Sequence, residues 1–311
     1  MKVLSSLLVY SLGTTAFLAF LVLTSYTDPT DQPEAAPQAP KLEHVQQVQM
    51  PKIPDSLSFA GELVPIKDMD MRERFDREQL SICFRHSATI HSMKLANRYF
   101  PMMEEVLKKN GVPDDFKYLA VTESNLLNAT SPAGAKGIWQ FMPATARMYG
   151  LEVNKEVDER LNFYLVTEAA CKLLKRLKGK FGSWTLAAAA YNCGEGRVQE
   201  RQNAQGGKAY YDLELPAETM RYLPRIFATK CILSNPESYG FFYEEDDLYP
   251  AFPAYRLVTV NGPTNWAAFC KEQGVSYRTL KLHNPWILSS KLTNAKRKSY
   301  TIRLPKARGG L

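Results

Sequence analysis

From about residue 69 to residue 233, apolar side chains return at the spacing of one face of an α-helix in run after run, which restricts this part of the chain to packed helices joined by short turns. The spacing covers residues 90–100, 102–109 with Gly111 as a stop, 114–125, 166–177, 184–191 and 217–233. In the fourth run Val166, Ala169, Ala170, Leu173, Leu174 and Leu177 form one continuous stripe, while Lys172, Lys175 and Arg176 face away from it. That helix needs no role beyond scaffold. After Pro250 the pattern changes to two alternating or β-branched runs, 255–260 and 300–305, flanking two short helical runs, 266–272 and 276–282. This predicts a small βααβ unit of about 50 residues, with its boundary in the Tyr, Glu and Asp-rich stretch 238–252.

A chain of 311 residues accommodates roughly two domains, and 45% apolar residues with 11% aromatics exclude disorder throughout. Residues 3–27 carry no charge and include Leu7, Leu8 and Val9 and then Phe17 to Leu23, so residues 1–27 read as a signal peptide or an uncleaved signal anchor. Residues 28–68 read as a linker, rich in Pro and Gln at its start, that holds the folded part away from a membrane. The five cysteines, an odd number without CxxC spacing, give no disulfide framework, and the four histidines form no ligand cluster. Neither a metal nor an organic cofactor is expected. Residues 255–311 hold eleven Lys and Arg against the single acid Glu272, within an overall charge of +7. For an exported chain this basic end points to an anionic envelope polymer or a membrane surface rather than to nucleic acid.

Within the run 114–125, Phe116, Leu119 and Ala120 share a stripe that continues to Glu123, so an acid stands where a core residue is expected. Burial and the negative end of a helix stopping near Asn125 both disfavour its charged form. A carboxyl still protonated near neutral pH suits protonation of the leaving oxygen in a glycosidic bond. On the helix pattern alone, a buried carboxyl satisfied by neighbouring hydroxyls explains Glu123 equally well. Next comes a loop in which Gly134 and Gly137 permit close approach of a ligand, and Trp139, Gln140, Phe141 and Met142 offer a flat apolar surface beside an amide, as a sugar ring requires. Further on, the small residues Ala187 to Ala190 allow close helix packing and lead to Tyr191 and Asn192. Pro216 and Glu218 fit a helix start, which makes Glu218 a cap.

Glu123 with Ser124, Gly137 to Gln140, Ala190 to Asn192 with Gly194, and Tyr222 stand in the order and approximate spacing of the four motifs of the Slt-type lytic transglycosylases, and residues 70–235 resemble that family. The resemblance implies a mainly α, lysozyme-like domain over 69–237 that cleaves the β-1,4 bond between N-acetylmuramic acid and N-acetylglucosamine in peptidoglycan, leaving a 1,6-anhydro end. It implies Glu123 as the single catalytic acid and base, and Ser124 and Tyr222 as groups orienting the acid or the substrate acetamido group. Gln140, Met142, Tyr191 and Asn192 would line sugar subsites, while Asp158, Glu159 and Glu168 would keep surface or capping roles. A hydrolytic muramidase or a non-catalytic peptidoglycan-binding protein are the alternatives. Tyr255, Val258, Trp266, Val275, Leu280, Asn284, Pro285 and the run 300–305 make residues 253–306 resemble a LysM domain, a glycan-binding unit that uses its first strand-helix loop and the loop before its second strand. The first of these holds Gly262, Pro263 and Thr264, where the family has Gly-Asp-Thr. The implied partners are peptidoglycan strands and, through the N-terminal segment, a membrane of the bacterial envelope on its periplasmic side.

Overall fold

The structure, a computed structural model, describes residues 49–306. The expected signal or anchor segment and the first part of the expected linker lie outside the described residues.

The rest of that linker is folded, which corrects the sequence expectation. Strands β1 (Leu57–Phe59) and β2 (Glu62–Val64) form an antiparallel hairpin, turned by Ala60 and Gly61 with φ of 53° and 78°. Positive φ at both central positions gives the turn whose twist matches that of the strands. Leu57, Phe59, Val64 and Ile66 are buried, and the Phe59 ring lies 5.2 Å from Phe116 and 5.5 Å from Phe227. Glu62 accepts hydrogen bonds from the Thr185 N–H and hydroxyl, each at 2.9 Å. Two strands of three residues give too short an alternation to stand out from a Pro-rich neighbourhood.

Helices α1 (Met69–Cys83), α2 (His86–Lys109) and α3 (Phe116–Ser124) follow. The two runs expected over 90–109 are one helix with Pro101 inside it. Proline removes one backbone bond there, but Leu95, Ala96, Met103, Val106 and Leu107 are buried on either side and hold the helix together. In α3 Phe116, Leu119 and Ala120 are fully buried, as the stripe requires. Next come α4 (Pro143–Met148), α5 (Phe163–Phe181), α6 (Trp184–Cys193), α7 (Glu195–Gln205) and α8 (Ala217–Ser234). Helix α7 buries only Val198, so it leaves no apolar period to read. Helix α8 packs on α1, α3 and α6, and α6 packs on α5 and α7.

The C-terminal unit has the expected βααβ order, which completes the mainly α class with a small strand-bearing end. Strand β3 (Tyr255–Val260) and the last strand (Tyr300–Pro305) pair antiparallel, with Tyr255 opposite Pro305 and Val260 opposite Tyr300. Helices α9 (Trp266–Gln273) and α10 (Tyr277–His283) cover them, and Thr264 and Asn265 pair with Lys291 and Leu292 in a second ladder. Its core of Trp266, Leu280, Trp286, Ile287, Ile302 and Leu304 also takes in Val157 from the helical part. The main chain of Glu156 accepts the Leu288 N–H at 2.8 Å, and its carboxylate accepts the Thr293 N–H and hydroxyl at 2.7 and 2.6 Å. Lys298 reaches Glu152 at 2.8 Å and Glu159 at 3.0 Å, and the Tyr300 hydroxyl donates to Glu152 at 2.8 Å. The stretch between the two parts lies along α2: the Asn97 amide donates to the Tyr249 carbonyl at 3.1 Å and Arg98 to the Pro250 carbonyl at 3.0 Å.

Candidate active site

Helix α3 delivers Glu123 in its last turn and ends at Asn125, whose φ of 51° suits an Asn cap. The Tyr222 hydroxyl, from α8, donates to Glu123 Oε1. Burial above all, with a smaller contribution from the charge of Glu218, outweighs the Tyr222 hydrogen bond and Arg225 and brings the Glu123 carboxyl up to about 7. Arg225 is held between Glu78 at 2.9 Å and Glu218 at 3.0 Å. Burial would raise Glu78, but Arg221 and Arg225 outweigh it and keep that carboxyl below its ordinary range. Two acids that both feel the charge of Arg225 are thus driven apart, Glu78 below its ordinary range and Glu123 poised near neutrality. Burial and the nearby Glu123 carboxylate hold the Tyr191 and Tyr222 phenols well above their ordinary values, so both stay hydrogen-bond donors.

The loop beyond α3 is built on backbone that few side chains tolerate. Leu126 and Gln140 have φ of 60° and 47°. Such conformations persist only where the surroundings impose them. Gly137, with φ of 81°, lies so close to the chain that a Cβ there would sit 2.1 Å from the Arg160 carbonyl oxygen. Arg160 clamps the loop from beneath, donating to the Gly134 carbonyl at 2.8 Å and the Phe141 carbonyl at 3.0 Å while its guanidinium pairs with Asp158 at 2.8 Å. Lys136 adds a contact to Asp158 at 3.3 Å.

Seven site residues were expected from the sequence. Tyr222 meets the acid directly, and Tyr191 stands near enough to be raised by its charge. The Tyr191 hydroxyl donates to the Trp139 carbonyl at 2.6 Å, joining α6 to the loop. Asn192 accepts from the Thr219 hydroxyl at 2.7 Å. Gln140 is half-buried and donates its amide to the Gly137 carbonyl at 2.8 Å, while Met142 stands exposed at the start of α4. The Ser124 hydroxyl donates to the Ile138 carbonyl at 2.9 Å and to that of Ala120, so it fastens the helix end to the loop.

Two expectations fail. Trp139 and Phe141 are not a sugar platform: both are buried, and the Trp139 indole N–H donates to Thr167 at 3.0 Å. The left-handed turn at Gln140 sends its neighbours into the core, and sequence alone does not give that direction. Asp158 caps the turn at Glu159–Leu161, as expected, whereas Glu159 is buried rather than at the surface because it accepts Lys298 across the domain seam. Arg160, Arg225 and Thr219 were missed. Asp158 and Arg160, two apart beside the loop, were the one visible hint.

A family model described as Transglycosylase SLT domain matches residues 101–213, the span that holds Glu123, the Gln140 loop, Tyr191 and Asn192. The chain carries a transglycosylase SLT domain. Residues 256–308 match the Soluble lytic transglycosylase C-terminal LysM-like domain. The membrane-bound lytic murein transglycosylase D of Escherichia coli K12 is 34% identical over 223 residues, which are 70% of this chain and 49% of that protein. The peptidoglycan transglycosylase gp16 of Escherichia phage T7 is 42% identical over 108 residues, 33% of this chain and 8% of that protein. The 70 kDa soluble lytic transglycosylase of Escherichia coli aligns at 20% identity and a TM-score of 0.42 over 54% of this chain and 30% of that one. The chain spans about half the length of the first of these curated relatives. Tyr222 lies beyond the matched SLT span, yet its hydroxyl donates to Glu123 within it.

Proposed function

We propose that this chain is a peptidoglycan lytic transglycosylase with Glu123 as its only acid and base. The observation that carries the reading is the buried carboxyl at the end of α3, raised to about 7 and hydrogen-bonded by Tyr222, with its neighbour Ser124 fastened to the Ile138 carbonyl of the loop. In the protonated form Glu123 gives its proton to the glycosidic oxygen as the bond to muramoyl C1 breaks. The resulting carboxylate is stabilised by the Tyr222 hydroxyl, then takes the proton of the muramoyl 6-hydroxyl as that oxygen closes on C1. No water is consumed, and the two ends are a free 4-hydroxyl and a 1,6-anhydro ring. Ser124 positions the acid through the backbone, Tyr222 orients it, and Gln140, Met142, Tyr191 and Asn192 line the sugar subsites. The substrate's own acetamido group meets the developing positive charge, consistent with a site that uses one carboxyl rather than two. The N-terminal apolar segment exports the chain, either as a cleaved signal or as an anchor that holds it at a membrane, with the enzyme on the periplasmic side of the envelope.

Mass spectrometry of muropeptides released from purified sacculi by the full chain in detergent tests this, with Glu123→Gln in parallel. Products lighter by one water, without a reducible end and absent with the variant, are expected. Reducible ends would make the protein a hydrolase, and equal release by the variant would remove Glu123 from the chemistry.

A further inference from the structure

A cleft of about 300 Å³ opens between the SLT domain and the C-terminal unit, and nothing in the reaction above uses it. Its size is at the lower end of the range for small-ligand sites. Arg98 of α2, Lys281 and His283 at the end of α10, and Arg303 of the last strand all line it, and none of its lining residues is Asp or Glu. Among the described residues none of these four makes an ion pair. What holds them is neutral. Arg303 lies 3.8 Å from the centre of the Tyr164 ring and Arg98 5.2 Å from that of Phe252. Lys281 donates to the Ile287 carbonyl, and His283 shares a 3.2 Å hydrogen bond with the Tyr255 hydroxyl. Burial holds Lys281, His283 and Arg303 all below their ordinary values. Cations gathered in a half-buried place with no counter-charge of their own destabilise the fold, and an anionic ligand relieves that cost.

The cleft lies at the opposite end of the β3 pairing from the loop of Gly262 to Thr264: Tyr255 and Arg303 belong to the end where Tyr255 faces Pro305, whereas the loop follows Val260. It does meet the active-site loop. Asn128 and Ile138 line it, and the Ile138 carbonyl is the one that takes the Ser124 hydroxyl next to Glu123. An occupant of the cleft therefore touches the loop that carries Gln140. Aromatic walls with cations and no acid suit a short peptide bearing free carboxylates, which is what a wall polymer carries on its muramic acid residues.

We propose that this cleft is a subsite for the peptide stem of the wall polymer, with Arg98, Lys281 and Arg303 receiving its carboxylates. The proposal rests on the glycan-cleaving reading and narrows its substrate to peptide-bearing glycan.

The test has two arms on the full chain in detergent, using Lys281→Gln, Arg303→Gln and the pair, each checked for a melting temperature no lower than that of wild type. In the binding arm, stem peptide freed from sacculi by an amidase is titrated calorimetrically onto wild type and Glu123→Gln alike. Binding that weakens at least about tenfold in the paired variant, and again when the peptide carboxylates are amidated, is the expected result. In the second arm the ratio of kcat/KM on peptide-bearing glycan to that on amidase-stripped glycan falls by a similar factor in the paired variant. If either single variant melts early, amidation of the peptide against wild type decides alone. Peptide that fails to bind wild type, or binds equally with its carboxylates blocked, overturns the subsite. Phosphatidylglycerol vesicles bound through the same residues in place of peptide would overturn it in favour of a membrane surface. Because the binding arm needs no turnover, absence of cleavage would count against the reaction and leave the subsite to be judged on binding.

Discussion

Replacing Glu123 by Gln should stabilise the protein, and only above mildly acidic pH. In the folded state the carboxyl titrates near 7, whereas the unfolded chain gives it an ordinary value of 4.5. Between these two values the folded protein keeps a proton that the unfolded chain has released, so its stability falls as pH rises through that window and stays low above it. A separation of roughly 2.5 units at 1.36 kcal/mol each sets an upper figure of about 3 kcal/mol. Glu123 keeps some solvent contact, which brings the surviving figure to about 1–3 kcal/mol. Gln preserves the shape and still accepts from Tyr222, yet carries no charge to bury. Melting curves of wild type and Glu123→Gln at pH 4 and pH 8 should therefore coincide at the lower pH, with the variant higher by about 3–10 °C at the upper. A gain of the same size at both pH values, or none at pH 8, would show that Glu123 titrates as an ordinary surface acid, and the account of its poise would fall.

Two further changes probe the same site. Tyr222→Phe removes a donor that favours the carboxylate, so the alkaline limb of activity should move upward by roughly one pH unit; a downward move in the pH–rate profile would mean the phenol acts otherwise. Gly137→Ala puts a methyl group against the Arg160 carbonyl in addition to the strained φ, and should lower stability by about 2–4 kcal/mol. Gly134→Ala, with a similar φ but open space around it, should lose only about 1–2 kcal/mol, and equal losses in denaturant titrations would contradict the clash.

What the sequence showed and what it hid follow the range of each physical signal. Glu123 was visible because its oddity is local: one charge in a stripe that recurs every three to four residues. Its raised pKa followed from burial, which the same stripe implies. Tyr222 came from the resemblance, since a hydrogen bond across 99 residues leaves no periodic trace. The loop was misread for a different reason. Trp139 and Phe141 carry the right chemistry for a sugar, but a single left-handed residue between them decides that they face inward. Helix α7 and the 57–64 hairpin escaped because one is polar nearly all round and the other too short for alternation to show. The cationic cleft draws on α2, the loop before α5, the 252–255 strap, α10 and the last strand, so no stretch of sequence contains it.

Glu156 lies on neither side of the chemistry, yet both of its carboxylate oxygens and its carbonyl are engaged by the C-terminal unit. The groups they meet, from Leu288 to Thr293, belong to the turn that precedes the last strand, one of the two places where LysM domains meet glycan. In this chain that turn faces its own neighbour. A wall-binding module on a free tether lets an enzyme search a radius around its anchor point, and its benefit depends on tether length. On the glycan-cleaving reading proposed above, a module fixed in this way would act as a gauge instead. A glycan strand that reached both Glu123 and the C-terminal unit would have to present those contacts at one spacing, so the pair would measure position along the polymer rather than merely stay close to it.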